Sequence, residues 1–139
     1  RMSVLYDISA RENSLVVGTS NKSELLLGYG TIFGDLACAI NPIGDIYKSD
    51  LFELAKYLGV NDNILKKAPS ADFYEGQSDE ADLGYSYSKI DSLLKKMIDE
   101  NRSKDELLAL GFEDEFIETI KKRVKINEFK RRLPIVAKI

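Results

Sequence analysis

The sequence predicts an α/β fold, specifically the C-terminal half of a parallel-sheet domain that is mostly helical in this stretch. Three observations carry that reading. Leu15–Gly18 is a short apolar run that ends at a small-residue turn and is followed at once by a helical segment, the strand–turn–helix punctuation of α/β proteins. Ala37–Asn41 is a second, weaker strand candidate, closed by Pro42 and Gly44. Everything beyond Gly44 reads as helix or loop. Two short strands cannot make a parallel sheet covered on both faces, so the other strands are expected from a missing segment or another chain.

The elements follow in order. Helical spacing is already under way at residue 1: Met2, Leu5 and Ser9 share a face, with Val4 and Ile8 beside it, and the segment ends at Arg11-Glu12-Asn13-Ser14. No capping residue precedes it, so residues upstream of Arg1 are expected. After the two strand candidates, a helix is predicted from about Lys48 to Leu58, with Asp50 and Glu53 as a capping pair, Leu51, Leu54, Ala55 and Leu58 as its stripe and Gly59 as its stop. A short turn of helix follows at Asp62–Lys66. Pro69 to Tyr87 shows no sustained periodicity and is rich in Asp, Gln, Ser and Gly, the pattern of a functional or disordered loop. Ser88 with Asp91 opens the next helix, faced by Ile90, Leu93, Leu94, Met97 and Ile98. Ser103 with Glu106 opens another, carrying Leu107, Leu108 and Leu110 before Gly111. The last runs from about Asp114 to Phe129, striped by Ile117, Ile120 and Val124, and Pro134 bars its continuation. There is no internal repeat and no low-complexity linker.

Composition narrows the functional classes. The 139 residues are 44% hydrophobic and 31% charged, the balance of a globular domain. No apolar run approaches the roughly 20 residues that cross a bilayer, and no signal-peptide pattern occurs, so no membrane role is expected. Cys38 is the one cysteine and lies between Ala37 and Ala39, which reads as a buried small hydrophobe in a reducing, cytoplasmic setting. With no histidine, neither a Ser-His-Asp nor a Cys-His apparatus can be assembled from this chain. Proton transfer must use Asp, Glu, Lys, Tyr or water. The net charge of −3 hides an asymmetry: Asp72–Glu118 holds 14 acidic and 5 basic residues, Lys121–Ile139 8 basic and 1 acidic. The basic stretch could track a phosphate backbone, but Phe129 is the only aromatic within it, so nucleic acid is not the expected partner.

The densest chemistry lies between Gly18 and Asp35, where glycine and polar residues are wedged among apolar ones. A strand-to-helix turn leaves the first helical N–H groups without intrahelical partners, an arrangement suited to phosphate. It also serves as an ordinary connection. Thr19 can offer a hydroxyl and an N–H to a nucleotide, or simply cap the helix. Glu24, one turn on, can complete the shell of a Mg²⁺ held otherwise by substrate phosphates, or compensate the helix dipole. Asp35 and Asp45 each follow a glycine, as turn residues do. Lys48, at a predicted helix start, opposes the dipole, which an anionic ligand would explain. Ser70, after Pro69, is a phosphate contact or an N-cap.

Taken jointly these residues resemble a family. Gly18-Thr19-Ser20-Asn21-Lys22-Ser23-Glu24, Gly28-Tyr29-Gly30-Thr31, Phe33-Gly34-Asp35, Asn41-Pro42-Ile43-Gly44-Asp45 and Lys48 are similar to the ammonia-dependent NAD synthetases of bacteria. So are Pro69-Ser70-Ala71-Asp72, Gly76-Gln77-Ser78-Asp79-Glu80 and Asp82-Leu83-Gly84-Tyr85. The likeness runs in order from residue 1 to about 135, as part of a single NAD synthetase domain. It implies an adenine-nucleotide hydrolase-like fold of the N-type ATP pyrophosphatases. It also implies a reaction: ATP adenylates the nicotinate carboxylate of deamido-NAD, releasing pyrophosphate, and ammonia then displaces AMP. By position, Thr19 would contact ATP, Glu24 bind Mg²⁺, Lys48 and Ser70 meet the ATP phosphates, and Asp35 orient or deprotonate the incoming ammonium. Lys130 would serve the dinucleotide. A homodimer with deamido-NAD near its interface is implied as well.

Two departures stand out. The family's Ser-Gly-Gly-x-Asp-Ser phosphate loop does not occur in these residues, so this chain alone is not expected to be a working enzyme; with the faces of Leu15–Gly18 and of the Met2–Ile8 helix unpartnered, it is expected to be inactive and poorly soluble, or part of a longer protein. Many relatives have His-Lys where this chain has Phe129-Lys130. Two alternatives are weighed against this: another N-type ATP pyrophosphatase ligase, which should lack the motif at 76–85, and a non-catalytic binding or scaffold module, expected only if this short chain is the natural product.

Overall fold

The computed structural model describes residues 1–70, 75–132, 134 and 136–138. They fall into two compact units, Arg1–Tyr47 with Asp114–Ile139, and Lys48–Glu113.

In the first unit, α1 (Met2–Arg11) forms where the spacing places it. Its apolar stripe is on the surface: Val4, Leu5 and Ile8 are exposed, and no residue of the helix is buried. The two strand candidates meet in a single parallel bridge, Val17 to Ile40. The Gly18 N–H donates to Ile40 O at 2.8 Å and the Ala39 N–H to Val16 O at 2.9 Å. The expected strands of a parallel sheet are not formed among the described residues, where this isolated bridge is all that joins the two segments, and the expected burial fails too: Leu15 is 70% and Val17 58% exposed. Among the described residues no further strand flanks the bridge, and a strand is buried only when neighbours close its faces. Cys38, expected inside, is half-buried. Its Sγ fills the space beside Gly18, where an added Cβ would lie 2.4 Å from the sulfur.

The core of this unit is built by α2 (Lys22–Leu27) packing on α8 (Asp114–Ile126) and on the 3₁₀ turn Glu128–Arg131 that follows it. Leu27, Phe116, Ile117, Ile120 and Val124 are buried. The last helix, expected to continue to Phe129, gives way at Asn127 to the tighter 3₁₀ geometry.

In the second unit, α3 (Lys48–Tyr57) packs on α6 (Tyr87–Leu94), which runs on as a π-helical turn over Lys95–Asp99. The expected Asp50–Glu53 capping pair is not what opens α3. The helix starts two residues earlier, its Ser49 N–H donates to Oδ2 of the buried Asp91 at 2.8 Å, and Asp50 pairs instead with Lys95 Nζ at 2.7 Å. The cap comes from a residue 42 positions away, which no local pattern reveals. α4 (Asp62–Leu65) is capped by Asn61. Within the stretch read as structureless lies α5 (Asp79–Leu83), capped by Ser78 and closed by Gly84 at φ 80°. Five residues are too few to show a periodic stripe. Ala71, Asp72, Phe73 and Tyr74 of that stretch lie outside the described residues. α6 is capped by Ser86, two positions before the expected Ser88, and buries Tyr87, Ile90, Leu93 and Leu94. α7 (Lys104–Ala109) opens on the predicted Ser103–Glu106 capping box. No helix among the described residues is long and apolar enough to cross a membrane.

Candidate functional site

The six candidate residues divide between the units: Thr19, Glu24, Asp35 and Lys130 belong to the first, Lys48 and Ser70 to the second. In the first, the turn after Gly18 shows which residue caps α2. Asn21, not Thr19, caps α2: its Oδ1 accepts the Glu24 N–H at 3.0 Å, and Glu24 Oε2 accepts the Asn21 N–H at 3.0 Å. The Lys22 N–H donates to Ile46 O at 2.9 Å. The amides of Lys22 and Glu24 are therefore engaged within the chain. Thr19 stands exposed ahead of the cap. Lys22 Nζ pairs with Asp45 at 2.9 Å and lies 4.9 Å from the centroid of the Tyr47 ring, so the Gly44-Asp45 turn is tied to the start of α2. Two buried polar atoms here, Asn21 Nδ2 and Asn41 Oδ1, have no hydrogen-bond partner among the described residues.

Among the described residues no cluster of three or more His, Cys, Asp or Glu could hold a metal. Glu24 supplies one hard oxygen donor group in the first turn of α2. That fits a Mg²⁺ arriving with phosphate ligands, which takes one or two protein carboxylates, and does not fit a cage built by protein alone.

At its other end α2 runs straight into the loop that carries Asp35. Gly28 adopts φ 65°, and a Cβ there would lie 2.2 Å from Asn127 Cβ. The Tyr29 N–H returns to Glu24 O at 2.9 Å. Asp35 is exposed and accepts the Thr31 N–H on Oδ1 at 2.9 Å, while its Oδ2 lies 2.7 Å from where a Cβ on Gly30 would stand. Lys130 Nζ donates to Gly28 O at 2.7 Å and Gly30 O at 2.9 Å. Lys130 and Asp35 thus converge on Gly30. An ammonium has three N–H donors, and two of them serve this loop.

Two further cations of the basic stretch, Arg131 and Arg123, also bond carbonyl oxygens. Arg131 Nη1 donates to Leu26 O at 2.8 Å and Leu25 O at 3.1 Å, its Nη2 to Val124 O at 3.2 Å, and Arg123 Nε to Leu27 O at 3.4 Å. Burial pulls the Arg131 guanidinium below the ordinary arginine pKa. Cations at the C-terminus of a helix meet the negative end of its dipole and satisfy its last carbonyls. Hydrogen bonds to charged groups contribute about 1.5–3 kcal/mol each. No sequence signal marks Arg131 for this work, because its partners on α2 lie more than 100 positions away.

In the second unit, Lys48 is half-buried with Nζ 5.5 Å from the centroid of the Tyr87 ring. Tyr87 is buried; its OH donates to Asp79 Oδ2 at 3.4 Å and its N–H to Glu80 Oε1 at 2.9 Å. The Asp79 N–H donates to Pro69 O at 2.9 Å, next to the half-buried Ser70. Gln77 Nε2 bonds Asp82 Oδ2 at 2.8 Å. The Gly76–Asp82 motif therefore ties the residue before Ser70 to the tyrosine beneath Lys48. Tyr87 is the supporting residue that sequence reading missed here, since an aromatic at a helix start looks like ordinary core.

The model of the family described as NAD synthase matches residues 1–134. The NH3-dependent NAD+ synthetase of Wolinella succinogenes is 55% identical over all 139 residues, which cover 54% of it. That of Campylobacter jejuni is 58% identical, again over the whole chain and 55% of the relative. Among solved structures, NMN synthetase from Francisella tularensis superposes with a TM-score of 0.83 at 36% identity, over 100% of this chain and 53% of that one. NH3-dependent NAD synthetase from C. jejuni, in complex with the nitrate ion, does so with a TM-score of 0.76 at 48% identity, over 99% and 52%. The chain spans about half the length of the curated relatives it matches. By this likeness over the whole of the chain, it belongs to the NAD synthase family.

Proposed function

We propose that the protein carrying this chain amidates deamido-NAD to NAD with ammonia and ATP, through an acyl-adenylate, releasing pyrophosphate and then AMP. The observation that carries the reading is the identity above 50% with NH3-dependent NAD+ synthetases over every residue of the chain. In this reading Thr19 contacts ATP, Lys48 and Ser70 meet its phosphates, and Glu24 holds Mg²⁺. When bound, Mg²⁺ neutralises phosphate charge as a carboxylate approaches phosphorus. The Lys48 ammonium acts in the same sense, most strongly in the transition state, where charge accumulates on the phosphoryl oxygens. The Tyr87 ring holds that ammonium over a π-face without neutralising it. Asp35 receives ammonium and takes its proton, and Lys130 reaches the dinucleotide while holding the Asp35 loop. The protein is a cytoplasmic homodimer with deamido-NAD near the subunit interface.

The test uses the full-length protein with deamido-NAD, Mg²⁺·ATP and ammonium, following pyrophosphate exchange and amide formation separately. Lys48→Ala should slow both by roughly 10²–10³-fold. Asp35→Asn keeps shape and hydrogen bonding but loses the charge, so exchange should persist while amide formation stalls. Equal loss of both activities in Asp35→Asn would move this residue to the adenylation step. The likeness to NMN synthetase supports a second reading, in which the acceptor is the mononucleotide. A higher kcat/KM with nicotinate mononucleotide than with deamido-NAD would establish it.

A further inference from the structure

We propose that Arg131 is a positioning residue for Glu24, acting through the backbone of α2; the proposal rests on the reading of Glu24 as the Mg²⁺ carboxylate. α2 is six residues long, too short to hold its own geometry in water. Its start is fixed by the Asn21–Glu24 box. Its end is fixed from the other terminus of the chain. The carbonyls of Leu25 and Leu26, the two residues after Glu24, both accept from Arg131 Nη1. The next carbonyls accept from Arg123 and Lys130. Arg131 is anchored in turn by Nη2 on Val124 O of α8. The planar guanidinium can reach three carbonyls on two elements from one side chain, which a single ammonium cannot reproduce.

A rigid second layer matters for a lone carboxylate. With few protein ligands, the ion's affinity depends on how well the one carboxylate is held, and loss of an outer partner of a metal ligand costs about 10–100-fold in affinity. The clamp also fixes the direction in which α2 enters the Gly28–Asp35 loop, since Tyr29 N–H bonds to Glu24 O. The basic run that sequence reading offers to a polyanion is, at Arg123, Lys130 and Arg131, directed at carbonyl oxygens of α2 and the loop after it.

Three variants of the full-length protein test this: Arg131→Met, Arg131→Lys and Glu24→Gln. Gln retains the capping box but gives up the charged ligand. In Arg131→Met, amide hydrogen exchange of the segment Leu25–Tyr29 should quicken about tenfold relative to the rest of its unit. The Mg²⁺ concentration for half-maximal amide synthesis should rise about tenfold. That rise should vanish in a Glu24→Gln background, where there is no charged ligand left to position. Arg131→Lys should fall between wild type and Arg131→Met, and it serves the same measurements should Arg131→Met not fold. Arg132→Gln, which removes an exposed pair with Glu128, should change none of them. Unchanged exchange in Leu25–Tyr29 would overturn the clamp. Faster exchange with an unaltered Mg²⁺ requirement, or an equal rise in the Glu24→Gln background, would overturn the positioning role. The exchange measurement stands even if the wild-type protein makes no amide, which separates failure of the clamp from failure of the functional reading.

Discussion

α2 and α7 are both six residues long and both open on a capping box, Asn21–Glu24 in one and Ser103–Glu106 in the other. They end differently. α7 closes on itself: Leu110 N–H returns to Glu106 O, Gly111 N–H to Leu108 O and Phe112 N–H to Leu107 O, all local bonds. α2 has a similar backbone return at Gly28 and Tyr29, but its last carbonyls also take side chains from Arg123, Lys130 and Arg131. One helix is specified by its own residues, whereas the other depends on the far end of the chain. The helix that depends on distant residues is the one that carries a candidate metal carboxylate and leads into Asp35. A site needs side chains held more firmly than a six-residue helix can hold them, and tertiary bonds supply that firmness.

The largest expected contrast is at the two closing glycines. Gly28→Ala places a Cβ 2.2 Å from Asn127 Cβ at φ 65°, so left-handed strain adds to overpacking, and stability should fall by about 3 kcal/mol. Gly111 has φ 91° but nothing within 4 Å of the added Cβ, so Gly111→Ala should cost about 1 kcal/mol, from backbone strain alone. Denaturant unfolding of the two variants reads the difference, and equal losses would erase the contrast between a clamped and a free helix end. The next effect separates the two box carboxylates. Glu24→Ala should raise the Mg²⁺ requirement about tenfold or more, whereas Glu106→Ala should leave turnover and Mg²⁺ dependence unchanged in the full-length protein. Steady-state assays across a Mg²⁺ series decide this.

The smallest effect is a pH dependence. The Ser103 backbone N–H, then Arg102 and the Ser103 hydroxyl, hold the Glu106 carboxyl down to about 2. A carboxyl whose pKa is lowered on folding stabilises above its unfolded pKa, near 4.5, and loses that contribution as the pH falls toward 2. The stability difference between wild type and Glu106→Gln should therefore be full near neutral pH and shrink as the pH falls from about 4.5 to about 2. Thermal melts across that range measure it. A difference independent of pH would mean that folding does not lower the pKa of the Glu106 carboxyl.

How much was legible can be traced through these elements. α1, α4, α7 and the end of α3 lie where stripe and punctuation put them, because those boundaries are local: Gly59 and Gly111 take positive φ, and Ser103 caps through its own hydroxyl. α5 was not legible, being shorter than two turns. The Asp50–Glu53 pattern misled, because a buried Asp91 from α6 supplies the bond at the start of α3. For the candidate site, the resemblance named the candidate residues, whereas the side chains that support them were not legible. Nothing near Lys48 in the chain announces Tyr87, and nothing near Glu24 announces Arg131.

By itself the sequence determined where most of the helices lie, which motifs are present, and that these residues offer no histidine and no intrachain disulfide. Those properties follow from side chains acting on their own backbone within a few residues, or from simple absence. Only the tertiary structure decided that the strand candidates meet in one parallel bridge with exposed side chains, and that Asn21 rather than Thr19 caps α2. It also decided that Arg123, Lys130 and Arg131 direct their charge to carbonyl oxygens. A cation in a sequence carries no mark of its partner. Whether it meets solvent, a ligand or an unsatisfied helix end depends on which acceptors folding places within about 3 Å of its nitrogens.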